Sequence, residues 1–290
     1  MMNIKNLSIG FIGAGRVGFT LGRYFYEKNL HLSGYFSNSF KHACEAAEFT
    51  HSNSYKTIKE LAENSQVIFI TAPDSCIYDI YLQLRKFDLR DKILCHCSGA
   101  LSAEVFEDIE SANAYGYSIH PAFAVSDKYN SFKKISNAFF TIEGSDKEMA
   151  VIKEIFKSLK NPYQIIKAKD KYKYHASLVM SSNLVIGLYH IALSLLEECG
   201  FSRFTAIDVL NPLFLNNAES LCKNGCVNAL TGPVDRNDLQ TVREHLSVLD
   251  NADLYKILSK ELIKIANEKY PDRDYNELEK ILNEEQYSVI

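Results

Sequence analysis

Short apolar runs alternate with amphipathic stretches through the first half of the chain. Apolar runs that end at turn residues predict buried strands, and the stretches between them predict helices. Strands are predicted over residues 7–12, 30–37, 66–73, 92–99, 115–123 and 138–144, and helices over 17–28, 42–49 and 146–159. Strands that alternate with helices in this way predict an α/β fold built on a doubly wound parallel sheet.

The pattern changes after about residue 168. Residues 170–199 contain no proline and one glycine, and Gly200 is a suitable C-terminal cap, so one long helix is predicted there. The remaining sequence also has helical character. We therefore predict two domains, a dinucleotide-binding α/β domain over residues 1–167 and an all-helical substrate and dimerisation domain over residues 168–290.

The centre of this long helix is unusually apolar. Residues 177–196 contain no Asp, Glu, Lys or Arg and are long enough to span a bilayer. Asn183 and His190 are disfavoured in hydrocarbon, however, so we predict the buried helix of a soluble protein and no membrane partner. Its apolar surface exceeds what one small helical domain needs to bury, which predicts a homodimer.

Composition narrows the function further. The 290 residues carry a net charge of −4, which argues against a nucleic-acid partner. The seven cysteines are odd in number and lack paired CxxC spacing, so we expect buried free thiols and no metal site. The N-terminus has no apolar core with a cleavage site, as a signal peptide would have. Free thiols then predict a cytoplasmic protein.

A glycine motif follows the first predicted strand, in the stretch GFIGAGRVGF at residues 10–19. Gly13 permits a tight turn, Gly15 lets a diphosphate approach the backbone, and Gly18 lets the next helix pack against the strand. The helix N-terminus adds free amides and the positive end of a dipole. The residues expected to bind the cofactor here are Gly13, Ala14, Gly15, Arg16, Val17 and Gly18.

The end of the second predicted strand indicates which dinucleotide binds. NAD-binding proteins place Asp or Glu at this point to accept a hydrogen bond from the ribose 2′-hydroxyl. Here Ser37, Asn38 and Ser39 precede Lys41, with no carboxylate among them. Hydroxyl, amide and ammonium groups suit a 2′-phosphate, which favours NADP over NAD.

Polar residues also follow the ends of later predicted strands. They are Thr71-Ala72-Pro73-Asp74, His96-Cys97-Ser98-Gly99-Ala100 and His120-Pro121. Ligands of open α/β sheets bind beyond these strand ends. We therefore expect Thr71, Ala72, Pro73, Ser98, Gly99 and His120 to contribute to the cofactor site.

Polar residues form a stripe on the predicted long helix. At 100° per residue, the side chains of Lys171, His175, Ser182, Asn183 and His190 fall within about 120° of arc. His175 suits proton transfer near neutral pH, and Asn183 suits orientation of a carbonyl or carboxylate. The alternative is a set of hydrogen bonds at a domain or subunit interface.

A second polar stretch lies at residues 230–246. Its Gly-Pro turn and Arg236 are a suitable place for an anion, and Asp238 is a candidate substrate contact. The alternative is that Asp238 or Asn237 only caps a helix.

Six of these motifs occur in one order along the whole chain: GFIGAGRVG, TAPD, HCSGALS, HPAF, YHASLVMSSN and LTGPVDRNDLQTVREHL. Together they resemble the family that joins a Rossmann-like domain to a helical domain of unknown function, DUF2520. That family is related to 6-phosphogluconate dehydrogenase-like, pyrroline-5-carboxylate reductase-like and ketopantoate reductase-like enzymes. Some members resemble an alternative ketopantoate reductase of pantothenate synthesis.

The resemblance implies an NADP-dependent oxidoreductase that reduces a small 2-keto acid, ketopantoate first. The polar stripe gives Lys171, His175 and Asn183 as the predicted catalytic residues, and Ser182, Arg236 and Asp238 are the predicted substrate contacts; this assignment cannot be copied from the related enzymes. Related enzymes place Asn four residues after the lysine, where this chain has His175, so His175 takes over part of the lysine's work. Three alternatives remain open: a cyclic imine reductase, a non-catalytic NADP-binding sensor, and a deazaflavin in place of the nicotinamide.

Overall fold

A computed structural model describes residues 7–284 of the protein. Its contacts divide the chain into two compact units, with the division after Val185. The first unit contains a mixed α/β layer structure and the second is helical, and each is described by itself. The sequence prediction placed the domain boundary after residue 167, and the difference is the segment 168–185, which packs with the first unit.

One eight-stranded sheet forms the centre of the first unit. Its strands are β1 Ile9–Ile12, β2 Leu32–Phe36, β3 Asn53–Ser54, β4 Val67–Ile70, β5 Ile93–His96, β6 Tyr115–Ala122, β7 Phe139–Gly144 and β8 Tyr163–Ile165. They lie in the order β3-β2-β1-β4-β5-β6-β7-β8, and β1 to β6 are parallel. The order reverses between β1 and β4, where the carboxyl ends of the strands leave a crevice.

Helices connect the strands and make up the second unit. They are α1 Arg16–Glu27, α2 Phe40–Thr50, α3 Ile58–Glu63, α4 Asp74–Leu84, α5 Met149–Leu159, α6 Lys171–Met180, α7 Asn183–Glu198, α8 Arg203–Ala229, α9 Pro233–Arg236, α10 Leu239–Val248, α11 Asp253–Lys269 and α12 Asn276–Asn283. The predicted α/β fold is confirmed, as are the six predicted strands and the helical C-terminal region.

The last two strands depart from the predicted parallel arrangement. β7 is antiparallel to β6, and β8 is parallel to β7. The connection over residues 123–138 contains only two short 3₁₀ turns, Ser131–Lys133 and Ile135–Asn137. A parallel neighbour is usually reached through a helix packed on the sheet, and this connection contains no α-helix, which fits the antiparallel return.

The core of the first unit fixes α1 against the sheet. All residues of β1 and β4 are buried, as their apolar runs predict for parallel strands. The ring of Phe11 stacks on Tyr35 at 5.1 Å and on Phe69 at 5.5 Å between centroids. The Tyr35 hydroxyl then donates a hydrogen bond to the carbonyl of Gly18 at 3.1 Å. The first turn of α1 is therefore tied to the sheet.

The predicted single helix over residues 170–199 is wrong. α6 ends at Met180, and α7 begins at Asn183. The hydroxyls of Ser181 and Ser182 both donate to the carbonyl of Leu178, at 3.1 and 2.7 Å. Serine side chains that bond the backbone in this way compete with helical hydrogen bonds. The polar stripe predicted along one continuous helix is thus interrupted.

The second unit has its own small apolar core. Side chains from α9 to α12 form it, including Val234, Val242, Ile263, Leu278 and Ile281. The helices α7 and α8 contribute little to this core, since Leu193 and Ala206 are their buried residues. Both helices leave large apolar side chains exposed.

The exposure of α7 and α8 corrects two predictions. The segment Ala168–Glu198 is long and apolar enough to cross a membrane by length and composition, yet only 6% of its most apolar window is buried. A helix buried within the single chain is therefore wrong. The cysteines are free, but only Cys95 is buried, and four are exposed: Cys76, Cys199, Cys222 and Cys226. Three of these four lie in or directly beside α7 and α8, which explains the difference.

Candidate active site

The glycine motif has the geometry that its spacing predicts. Gly13 has a φ of +112°, which disfavours other residues, and its carbonyl accepts a 2.9 Å hydrogen bond from the Thr71 hydroxyl. A Cβ at Gly18 would lie 2.4 Å from the Gly13 carbonyl oxygen. A Cβ at Gly15 would meet no atom within 4 Å. Close packing therefore requires Gly13 and Gly18, whereas Gly15 keeps space open for a ligand.

A cavity of about 400 Å³ lies in the crevice beside this motif. Its lining includes Ile12 to Gly15, Phe36 to Asn38, Thr71 to Pro73, and Cys76, Asp79, Ile80 and Gln83. Gly15 caps α1 without a side-chain hydrogen bond, so the first amides of the helix face the ligand side unpaired by a cap. Space, free amides and a helix N-terminus together fit the diphosphate of a dinucleotide.

Some of the predicted cofactor residues line the cavity and others do not. Ser37 and Asn38 line the cavity, as do Thr71, Ala72 and Pro73. Ser39 caps α2 and does not line it. The sequence prediction missed Asp79 and Gln83, which α4 brings to the opposite wall. Amphipathic spacing gave no reason to single out these exposed helix residues.

Ser98 is the centre of the loop that follows β5. Its hydroxyl donates to an Asp74 carboxylate oxygen at 2.6 Å and accepts hydrogen bonds from the amides of Ala100 and Leu101. Its carbonyl accepts from the Ser118 hydroxyl at 3.2 Å. The loop is thus joined to the start of α4 and to β6.

His96 closes the same loop from inside. Its Nδ1 accepts a hydrogen bond from the Ser98 amide at 3.2 Å, and Nε2 lies 3.1 Å from the Ser102 carbonyl, to which it donates. Burial lowers the pKa of His96 to about 4, so the ring is neutral at neutral pH. Both nitrogens are used, and His96 therefore holds the loop.

Lys171 is fully buried at the start of α6. Its ammonium donates to the Ser118 hydroxyl at 2.7 Å and to the Ser98 carbonyl at 3.1 Å. Burial lowers the pKa of Lys171 to about 8, an effect that the nearby carboxylate of Glu143 opposes. Burial also raises the pKa of Glu143, whose carboxylate accepts a hydrogen bond from the Ala103 amide.

The rings of two histidines pack against Gly99. The rings of His120, on β6, and His175, on α6, are 6.3 Å apart between centroids. A Cβ at residue 99 would lie 2.6 Å from Cδ2 of His175 and 2.9 Å from Nε2 of His120. Glycine is therefore required for both rings to approach the loop. The sequence singled out all three residues, but not that they are in contact.

Tyr174 completes this group, which we call the Gly99 cluster: Gly99, His120, Tyr174 and His175. The Tyr174 hydroxyl lies 2.8 Å from Nδ1 of His120. The sequence analysis missed Tyr174, Ser118 and Glu143. Lys171 and His175 flank Tyr174 on α6, so its position one residue before His175 is the one signal that could have indicated it.

Other predicted residues form contacts of their own. Ser182 donates to the side-chain oxygen of Asn183 at 3.1 Å, and both residues are exposed. His190 is exposed in the second unit, where its Nδ1 contacts Arg203. Within residues 7–284, no hydrogen bond joins these three side chains to the Gly99 cluster. Catalysis by Asn183 stays a prediction.

The stretch over residues 230–246 forms a turn and a helix cap in the second unit. Gly232 has a φ of +97°, and Pro233 begins α9. The Asp238 carboxylate accepts from the amide and the hydroxyl of Thr241, at 3.1 and 2.8 Å. Asp238 therefore caps α10, and its role as a substrate contact stays a prediction. The Arg236 side chain is exposed and forms no hydrogen bond or ion pair within the described part of the chain.

Comparisons with known proteins agree with this fold. A Rossmann-like domain model matches residues 2–121, and the model of a domain of unknown function, DUF2520, matches residues 138–262. No curated protein matches the sequence significantly.

Solved structures match both units of the chain. Protein TM1727 from Thermotoga maritima is 27% identical, with a TM-score of 0.74 over 90% of this chain and 99% of its own. BF3122 from Bacteroides fragilis, described as a candidate NADP oxidoreductase, is 22% identical, with a TM-score of 0.67 over 90% and 100%. The NADP-bound pyrroline carboxylate reductase from Plasmodium falciparum is 18% identical, with a TM-score of 0.59 over 91% and 98%.

The buried charge of Lys171 predicts a pH-dependent stability. The folded pKa of about 8 lies below the ordinary value of 10.5, so the unfolded chain binds more protons between these two values. The free energy of unfolding of the wild type should therefore rise from pH 8 to pH 10 relative to Lys171→Met, by about 2 kcal/mol. Urea unfolding at several pH values measures this difference. Lys169→Met, which removes an exposed lysine, is the control, and parallel curves for wild type and Lys171→Met would contradict the prediction.

Proposed function

Because the chain joins a Rossmann-like domain to a DUF2520 domain, we propose that it is an NADPH-dependent reductase of a small 2-keto acid. One observation carries the proposal: the Gly99 cluster lies at the same edge of the sheet as the glycine motif and its cavity. Strands β1, β4, β5 and β6 are parallel, so their carboxyl ends share this edge. Cofactor groups and proton-donating groups therefore face one crevice.

The cavity residues suit the proposed cofactor. The amides that begin α1 would hold the diphosphate, with Gly15 leaving it room, and Ser37 and Asn38 would contact the 2′-phosphate. Bound NADPH supplies the hydride. The chain must then bind the substrate beside it and deliver one proton to the carbonyl oxygen.

We assign the proton transfer to His175 and a positioning role to Lys171. His175 is half-buried beside Gly99, and no hydrogen bond within residues 7–284 occupies its ring. The Lys171 ammonium instead donates hydrogen bonds to the Ser98 carbonyl and the Ser118 hydroxyl, and so fixes the loop that carries Gly99. Asn183 and Ser182 would orient the substrate, and Arg236 stays a predicted anion contact of the second unit.

Ketopantoate is the first candidate substrate, and its product would enter pantothenate synthesis in the cytoplasm. A second candidate reaction is reduction of a cyclic imine. The similarity to the P. falciparum pyrroline carboxylate reductase, which extends over 98% of that chain, favours it. Both reactions need a hydride and one proton at the same edge of the sheet.

A substrate panel distinguishes the candidate functions. Purified protein is incubated with NADPH and ketopantoate, other 2-keto acids or Δ1-pyrroline-5-carboxylate, and NADPH absorbance is followed. Turnover of a 2-keto acid supports the proposal, and turnover of the imine alone supports the second candidate. Tight NADPH binding without turnover of any substrate would indicate a non-catalytic binding protein.

We predict that the wild type binds NADPH more tightly than NADH. Ser37→Asp places a carboxylate where the 2′-phosphate would bind, so the preference should shift towards NADH by electrostatic repulsion. Titration by cofactor fluorescence gives both dissociation constants. Ser111→Asp, outside the cavity, is the matched control. Equal dissociation constants for the two cofactors in the wild type would overturn the NADP assignment.

We predict that His175→Ala lowers kcat by about 10²–10⁴-fold, as expected for loss of a general acid, while NADPH affinity stays nearly unchanged. Asn183→Ala should lower kcat and raise KM, because an orienting amide acts in ground and transition states. His190→Ala is the control for an exposed histidine. Melting temperatures of all variants separate catalysis from stability, and a folded His175→Ala enzyme with wild-type turnover would remove His175 from the mechanism.

The exposed face of α7 supports a homodimer. Leu184, Leu188, Ile191 and Leu195 recur at helical spacing on one side of α7, and all four are exposed. An apolar seam of this kind is stable in water when a second helix covers it. We propose a second copy of the chain as the partner.

Introduction of charge into this seam should dissociate the dimer. Leu188→Glu combined with Ile191→Glu places unpaired carboxylates in the proposed interface, at a cost that the interface does not repay. Sedimentation velocity at micromolar concentration should show a dimer for wild type and for the control Lys86→Glu, and a monomer for the double variant. A monomeric wild type, or one that pellets with liposomes, would contradict the proposal.

A further inference from the structure

Tyr174 and His120 form a hydrogen bond beside the proposed proton-transfer residue. The proposed reaction assigns no role to the His120 imidazole. The phenol oxygen and Nδ1 are 2.8 Å apart, and the two rings meet edge to face with centroids 5.7 Å apart. α6 supplies the tyrosine and β6 the histidine. The pair thus links a helix to the carboxyl end of a central strand.

The protonation of this pair follows from its surroundings. Burial lowers the pKa of His120 to about 4, and the positive charge of Lys171 acts in the same direction. Burial raises the pKa of Tyr174, so the phenol keeps its proton. A neutral imidazole has one N–H and one acceptor nitrogen. Thr141 is the second side chain within hydrogen-bonding reach of the phenol. When the phenol donates to His120, Nδ1 is the acceptor and Nε2 carries the proton.

The Nε2 atom lies next to Gly99. It is 2.9 Å from the position that a Cβ at residue 99 would take, and His175 bounds the same small space. No hydrogen bond within residues 7–284 occupies this nitrogen. A donor is therefore held, without a protein acceptor, beside the proposed proton-transfer residue.

We propose that Tyr174 is a positioning residue that fixes His120 as the Nε2–H tautomer, so that the neutral ring donates a hydrogen bond to the keto oxygen of the substrate. A fixed donor stabilises the negative charge that develops on this oxygen as the hydride arrives. The catalytic consequence rests on the proposed reductase function, whereas the tautomer rests on the contact between Tyr174 and His120 and on the phenol acting as its donor.

The tautomer can be measured without any substrate. Two-bond ¹H–¹⁵N correlation spectra of protein labelled at histidine report which ring nitrogen carries the proton, and loss of a signal set in His120→Gln assigns His120. The wild type should show protonated Nε2 and an accepting Nδ1. Tyr174→Phe removes the phenol, and both tautomers should then be populated.

Tyr172 provides a matched control on the same helix. Its side chain is 71% exposed and forms no hydrogen bond within the described residues, so Tyr172→Phe should leave the spectrum of His120 unchanged. A proton on Nδ1 in the wild type would overturn the proposal without any variant. An unchanged His120 spectrum in Tyr174→Phe would also overturn it.

Kinetics test the catalytic consequence. Tyr174→Phe should lower kcat by about 10- to 100-fold, as is typical when a histidine loses the hydrogen-bond partner of its second ring nitrogen. KM and the NADPH dissociation constant should stay nearly unchanged. Tyr172→Phe should behave as wild type. A shifted tautomer with wild-type kcat would overturn the role in catalysis. If no substrate of the panel turns over, the proposed function fails, and the spectra still decide whether Tyr174 fixes His120.

Discussion

A single buried ammonium group organises the candidate active site. Lys171 is completely enclosed, and its Nζ binds the Ser98 carbonyl and the Ser118 hydroxyl. These contacts join α6, the loop after β5 and strand β6 at one point. A buried charge is costly unless its hydrogen bonds are satisfied, so each of these elements must hold its place for the others to be stable. The site is rigid because this charge has to be solvated by the protein.

Further hydrogen bonds hold the loop that follows β5. Asp74 holds the Ser98 hydroxyl, and His96 holds the backbone on either side of the loop from within. As a result Gly99 is presented to His120 and His175 with no space for a side chain. The histidines nearest the sheet are neutral because burial and the lysine charge both oppose their protonation. They therefore serve as fixed donors and acceptors, while His175 forms no hydrogen bond through its ring within residues 7–284.

Different physical interactions shape the glycine motif and the helical second unit. At the glycine motif, backbone packing demands glycine at two positions and leaves the third open, which is the arrangement a diphosphate needs. The second unit has a small core from α9 to α12, and α7 and α8 have apolar faces that residues 7–284 leave exposed. The first arrangement fits a small-molecule ligand and the second fits a macromolecular contact.

The sequence alone determined the α/β architecture, because apolar runs between turn residues have one stable arrangement in a parallel sheet. It also determined the roles of Gly13 and Gly18, since the spacing of a tight turn is local. It could not show that a helix would end at Ser181 and Ser182. A serine hydroxyl forms hydrogen bonds with solvent or with the backbone, and local geometry decides between them. Only the tertiary structure brought Lys171 to Ser118 and Tyr174 to His120, contacts between residues far apart in the chain. Such contacts depend on strand order and on where α6 returns to the sheet, and no periodicity in the sequence encodes that return.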